Sequence, residues 1–387
     1  MKEQNKSSVH LTVEALMEEA CRVARLQDWG DTEFQEPLGQ LIACFKEKYS
    51  SNEMMSFYFH AALKALLVNR LFIRDTLNNY PEIQDTPIKR PLLIVGLART
   101  GSTLLHRLMA QDLNSRVLLY WEMHYPFIGL NFGLNHEEES IELASLRLKE
   151  MFSRAPNLTH IHETGAVLPE ECMILLRHTF SSMSIVSEWL LPKFARWFIG
   201  QDMTKSYLYY RKLLQILLWY KPGDFLVLKC PSHLINLNTL LKVFPDANIL
   251  WVHRHPFETL PSFFSLLSSF WGSQIKDHDF IDLILKYSSQ SVEMGKTVQN
   301  KINPKQFLNV GYKELLENPL EVIRDIYRQF GYKFSQKLER YILQWLEKNP
   351  QHKRGVHKYN LEKFGLNKTQ LETLFSEYLQ DYEYLLG

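Results

Sequence analysis

The chain has 387 residues, 45% of them hydrophobic, enough for one large domain or two ordinary ones with a sizeable core. Its 44 basic and 43 acidic side chains leave a formal net charge of +1, which argues against a general polyanion-binding surface but leaves room for a local basic cleft. Cys21, Cys44, Cys172 and Cys230 lie far apart with no C-x-x-C pair, a spacing that suits a reduced intracellular protein better than a disulfide framework or a zinc site. The opening stretch "MKEQNKSSVHLTVEALMEEA" lacks the apolar core of a secretory signal, and no apolar run approaches the roughly 20 residues of a membrane span. A soluble cytoplasmic protein is expected, with peripheral membrane contact left open.

Residues 11–80 read as helices. In "LTVEALMEEACRVARL", Leu11, Ala15, Leu16, Cys21, Val23 and Leu26 fall mostly along one helical stripe, and "MMSFYFHAALKALLVNRLFIRDTLNNY" continues in the same manner. A polar stretch, "PEIQDTPIKR", leads to the first strand, Leu92 to Gly96, apolar throughout as strands of buried parallel sheets are. The segment 140–220 shows no convincing strand and is expected to be a helical insertion over the sheet's ligand edge. Further strands follow at "DFLVLK" (224–229), "ANILWVHR" (247–254) and, more weakly, "QFLNVGY" (306–312), separated by helical stretches. Alternating strands and helices imply an α/β fold of three layers, with a central, mainly parallel sheet flanked by helices. A helical N-terminal extension over residues 1–88 and an α/β domain over 89–387, in one compact unit, is the simplest organisation.

Between the first strand and the next helix lies "GLARTGST", Gly96 to Thr103, which almost spells the phosphate-binding pattern G-x-x-x-x-G-K-[ST]. A strand turning through glycines into a helix gathers backbone N–H groups and the helix's positive end around one point, an anion site. Ser102 stands where a triphosphate enzyme has its lysine, and the later strand ends in Arg254 where an acidic metal ligand would be expected. Both departures point away from a magnesium-dependent site, while Arg99 supplies a positive charge from another direction. Read alone, the loop is equally an ordinary helix N-cap behind a buried strand.

A second cluster shifts that balance. In "LKCPSHLINLNTLLKVFPDANILWVHRHPFETLPSFFSL" one strand ends in Lys229, His233 follows, the next strand ends in Arg254, and Ser262 lies eight residues beyond it. Ligands bind at the carboxyl ends of strands in open parallel sheets, so Lys229 and Arg254 would reach the rim that carries the glycine loop. Two phosphate-binding centres on one rim suit a nucleotide with phosphates at two positions.

Together the two segments resemble the sulfotransferases that use 3′-phosphoadenosine 5′-phosphosulfate (PAPS), in their bacterial-type branch. "ARTGST" is similar to the family's [PR]-[KR]-[ST]-G-[ST]-[ST] segment, with Ala98 in place of the usual proline, and "RHPFETLPS" to its R-x-P segment with the spaced serine. The resemblance covers about residues 90–366 and implies a P-loop-like fold. It implies that Arg99, Thr100, Gly101, Ser102 and Thr103 hold the 5′-phosphosulfate and that Arg254 and Ser262 hold the 3′-phosphate. It also implies that Arg354, in the tail "HKRGVHKYNLEKFGL", folds over the same phosphate, although a basic run is usually only a solvated surface.

Sulfuryl transfer needs an in-line donor and acceptor, charge neutralisation on the departing phosphate and a base for the acceptor's proton, with no metal. His233 is the first candidate base, at a spacing two residues longer than in related enzymes. Glu170 and Glu171 in "AVLPEECMILL" are its rivals, His162 and Glu163 are further polar candidates, and Lys229 would contact the sulfuryl or bridging oxygen. The acceptor would be a hydroxyl, less readily an amine, of a lipid-like, polyketide-like or carbohydrate molecule, with no nucleic-acid partner. Aromatics from Phe180 to Tyr210 suit an apolar pocket, although core packing is the more usual fate of such side chains. Two other readings stay open: a P-loop-type small-molecule kinase or NTPase, and a catalytically silent nucleotide-binding protein.

Overall fold

The computed structural model describes residues 11–127, 136–156, 158, 163–272, 275, 277–350 and 361–386. They form two compact units. One is built from the described parts of Met1–Thr86, Tyr125–His136 and Ile174–Tyr220, the other from those of Pro87–His124, Glu137–Met173 and Lys221–Gly387.

The first unit is helical. Helix α1 (Val13–Ala24) starts where the Thr12 hydroxyl accepts the Ala15 N–H, and α3 (Glu53–Asn79) starts where the Asn52 side chain accepts that of Met55. Each cap satisfies a backbone donor that the helix itself leaves unpaired. Helix α1 packs along α3, burying Leu16 and Ala20. Between them in sequence runs α2 (Gln35–Tyr49), whose Phe45 stacks on Phe59 of α3 at 3.7 Å between ring centroids, with Trp189 edge-on to both. Phe180, Phe194, Tyr207 and Tyr210 are completely buried, so these aromatics of the 180–210 stretch are core and not pocket lining. Each such ring removes some 150–250 Å² from water, the dominant stabilising term in a unit without a sheet.

The second unit is built on five parallel strands: β1 (Leu92–Gly96), β2 (Ser115–Val117), β3 (Phe225–Lys229), β4 (Asn248–His253) and β5 (Phe307–Gly311). Their order is β2-β3-β1-β4-β5. Four of them coincide with the apolar runs in the sequence. The edge strand β2 was not legible there, because three residues reading Ser-Arg-Val carry neither an apolar run nor an alternation. Its Arg116 is nonetheless buried, with its guanidinium on the Glu122 carboxylate at 2.7 Å and on the Lys221 carbonyl at 2.8 Å.

Helices cover both faces of the sheet, giving the three layers expected. On one face Leu92, Ile94, Leu250 and Val252 pack with Leu105, Leu108 and Met109 of α4 (Ser102–Met109) and with Val322, Ile323 and Ile326 of the helix Pro319–Phe330. On the other, Trp251 lies against Gly295 of the helix His278–Gln299. Among the described residues no helix is long and apolar enough to cross a membrane.

From β1 the chain crosses to β2 on one side of the sheet, and from β4 to β5 on the other. The crevice at the carboxyl ends of β1 and β4 is therefore a topological switch point, where open α/β sheets bind ligands.

Candidate active site

The loop after β1 is drawn tight by close approach. At Gly96 a Cβ would lie 2.5 Å from the Val252 carbonyl oxygen, so only glycine lets β1 end beside β4 this way. The buried Thr100 hydroxyl donates to the Leu97 carbonyl at 2.9 Å, so this side chain braces the loop from within. Gly101, at φ +90°, is the N-cap of α4, and a Cβ there would meet the Tyr312 ring at 2.7 Å. Ser102 and Thr103 follow in the first turn, Ser102 buried and Thr103 half-buried.

Arg99 adopts the left-handed conformation at φ +72°, which costs a non-glycine residue roughly 1–2 kcal/mol. Two long-range contacts hold it. Its Nε donates to Ser262 Oγ at 3.1 Å, and its carbonyl accepts Arg254 Nη1 at 3.0 Å. The two sequence segments thus meet at the switch point, separated by 155 and 163 positions in the chain. The Arg254 Nε donates to Glu258 at 2.8 Å, and its guanidinium lies 4.2 Å from the centroid of the Tyr312 ring. Tyr312 therefore touches both segments, packing against Gly101 and carrying Arg254. The sequence reading missed this residue; an aromatic side chain directly after a strand's carboxyl end was the available signal.

A second cluster lies at the end of β3, where Lys229 sits beside Ile94 in the register. Lys229 is 1% exposed, with its ammonium 2.8 Å from Glu171 and 3.7 Å from Glu170. Burial alone would lower its pKa, but the Glu171 and Glu170 charges and the Glu171 hydrogen bond outweigh it and leave the value raised, so Lys229 is a cation. Glu170 accepts the Glu171 N–H at 2.8 Å and the Thr164 hydroxyl at 3.2 Å. Backbone bonds from Glu170 to Leu118 and from Cys172 to Lys229 bring both glutamates to the strand ends. Glu171 keeps 22% of its side chain exposed, whereas Glu170 keeps 8%.

His233 sits in the 3-10 turn Pro231–Asn236, completely buried, with Nε2 3.3 Å from Cys172 Sγ. Burial and a hydrogen bond with Cys172 hold the Cys230 thiol well above its ordinary range, so it stays protonated. Beneath the cluster lies His106 of α4, also buried. Burial, then the Lys229 and Arg107 charges, push its pKa down to about 3, so the imidazole is neutral. Nothing in the sequence set this histidine apart from a helix interior. Arg107 donates to the Glu163 carbonyl at 3.2 Å. His162 and Arg354 lie outside the described residues.

Comparison with known proteins gives this arrangement its context. A family model described as "Sulfotransferase family" matches residues 91–336, the stretch holding all five strands and both clusters. The chain belongs to the sulfotransferase family. The crystal structure of sulfotransferase STF9 from Mycobacterium avium superposes with a TM-score of 0.83 at 25% identity, over 96% of this chain and 97% of that one. That of sulfotransferase STF1 from Mycobacterium tuberculosis H37Rv gives 0.79 at 30% identity, over 95% and 98%. Among curated proteins, omega-hydroxy-beta-dihydromenaquinone-9 sulfotransferase Stf3, from Mycobacterium bovis and from Mycobacterium tuberculosis, is 24% identical over 276 residues. That match spans 62% of this chain and 62% of the relative's own length. These relatives place the protein in the bacterial-type part of the sulfotransferase family and agree with its three-layer α/β fold.

Proposed function

We propose that this sulfotransferase moves the sulfuryl group of PAPS to a hydroxyl of a lipid-like acceptor. The observation that carries the reading is the meeting of Arg99, Ser262 and Arg254 at the switch point. There the N–H groups of the loop and of the first turn of α4 would hold the 5′-phosphosulfate. Arg254 and Ser262 would take the 3′-phosphate, with Arg99 between the two. The lipid-like acceptor class rests on the omega-hydroxy-beta-dihydromenaquinone-9 for which the Stf3 relatives are named.

Between the candidate bases, exposure favours Glu171. It keeps an open face while Lys229 orients it, whereas the His233 ring is buried against Cys172. In the proposed cycle the acceptor hydroxyl attacks sulfur in line with the bridging oxygen, and Glu171 takes its proton. Arg99 and the loop N–H groups would neutralise the charge left on the departing phosphate as the bond from sulfur to the bridging oxygen breaks, while Lys229 holds Glu171 in place.

Calorimetry tests the donor: 3′,5′-adenosine bisphosphate should bind without magnesium, and Arg254→Ala should abolish that binding. Preferential binding of magnesium–ATP would overturn the reading in favour of a kinase-like enzyme. Glu171→Gln should lower turnover about 10²–10⁴-fold with nucleotide affinity retained, the usual contribution of a general base. Loss of turnover in His233→Ala but not in Glu171→Gln would return the role to the histidine.

A further inference from the structure

The helical unit contains a partly open cavity of about 130 Å³, lined by that unit's own residues. Trp29, Ile73, Leu77 and Tyr209 make its walls apolar and partly aromatic, and Asp31, Arg70, Arg74 and Lys212 supply charge. Arg70 is only 3% exposed. Its guanidinium is held between the Phe34 and Tyr209 rings, 4.1 and 4.2 Å from their centroids. It donates to the His178 carbonyl at 2.8 Å and to Asp31 at 3.0 Å, while its buried Nε has no hydrogen-bond partner among the described residues.

Charge accounting defines what fits. Arg70 is neutralised by Asp31, and Arg74 by Asp28 at 2.9 Å; hydrogen bonds from Asn78, then from Arg74, hold the Asp28 pKa down to about 2. Lys212 has no ion pair among the described residues, so its positive charge is the one left over at the cavity. A cavity of similar size, ~150 Å³, takes one benzene ring in a well-studied case. We propose that this cavity binds a small organic anion, one anionic head on an apolar body of about one ring. The body would pack against Trp29 and Tyr209, and the head would face Lys212.

The test uses the full chain and three probes at constant ionic strength, followed by calorimetry or ligand-observed NMR. Benzoate should bind saturably, and its neutral isostere benzamide and inorganic sulfate should each bind at least fivefold more weakly. Lys212 is an exposed side chain, so Lys212→Met should leave the melting temperature unchanged while weakening benzoate at least fivefold. Arg254→Ala, at the sheet edge, should leave benzoate binding as it is, which separates this site from the proposed nucleotide site. No saturable benzoate binding, equal binding to Lys212→Met, equal binding of benzamide or sulfate, or loss of binding in Arg254→Ala would each overturn the assignment.

Discussion

Lys229→Met removes the cation from a buried triad and leaves two carboxylates facing each other. At an effective dielectric of about 20, contacts of 2.8 and 3.7 Å correspond to roughly 6 and 4–5 kcal/mol of gross attraction, offset largely by the desolvation of all three groups. Deleting one partner of a buried pair typically costs about 3–5 kcal/mol. Glu171 keeps 22% exposure and can partly rehydrate, which lowers the expected loss to about 2–4 kcal/mol. Urea denaturation of the wild type and of Lys229→Met at pH 7, with a constant m-value, measures it. The double variant Lys229→Met/Glu171→Gln, which removes one stranded charge, should recover about half of the loss. With the folded Lys229 pKa raised above 10.5, the pairing contribution of the wild type is complete below that pH and is lost as pH climbs past the folded value. Equal stability of Lys229→Met and wild type, or no recovery in the double variant, would refute the reasoning.

The same structure yields two further expectations for folding. Gly101→Ala should cost about 2–4 kcal/mol, because a left-handed φ adds roughly 1–2 kcal/mol and the new methyl displaces Tyr312 from beneath Arg254. Gly331→Ala, also at positive φ but with nothing within 4 Å, should cost only the backbone part; equal losses in urea would show that the Tyr312 contact is unimportant. Stability should also fall on acidification, because His106 and His253 are held down to about 3 and about 4, both chiefly by burial, and so refuse protons that the unfolded chain accepts below about 6.5. Each then contributes about 1.4 kcal/mol of loss per pH unit until its folded value is reached. His106→Leu should flatten the slope between about pH 6 and 4.5 by that amount, and an unchanged slope would show that this histidine takes up its proton without unfolding.

Much of this protein is written locally in its chain. Strands β1, β3 and β4 are largely apolar runs buried on both faces, and burial of that kind leaves a mark at every position; β5, with Leu308 and Asn309 only half-buried, reads more weakly. The loop at 96–103 is legible for a related reason, since glycines, hydroxyls and a helix start must stand at set offsets to make an anion site. Arg254 could be picked out because it ends an apolar strand, and Ser262 because it stands eight residues on, as in the sulfotransferase segment that this stretch resembles. What folding alone decided is which of these residues meet. The bond between Arg99 and Ser262, Tyr312 packing against Gly101, and the strand β2 all depend on partners more than a hundred positions away. Ser115, Arg116 and Val117 become β2 only because the edge of β3 offers them backbone hydrogen bonds. The contrast between His233 and Glu171 has the same origin: both are polar side chains near strand ends, and packing against Cys172 closes off one while the other keeps its face open. Burial and charge neighbours are properties of the assembled chain, so the order of candidates within the site could come only from the tertiary structure.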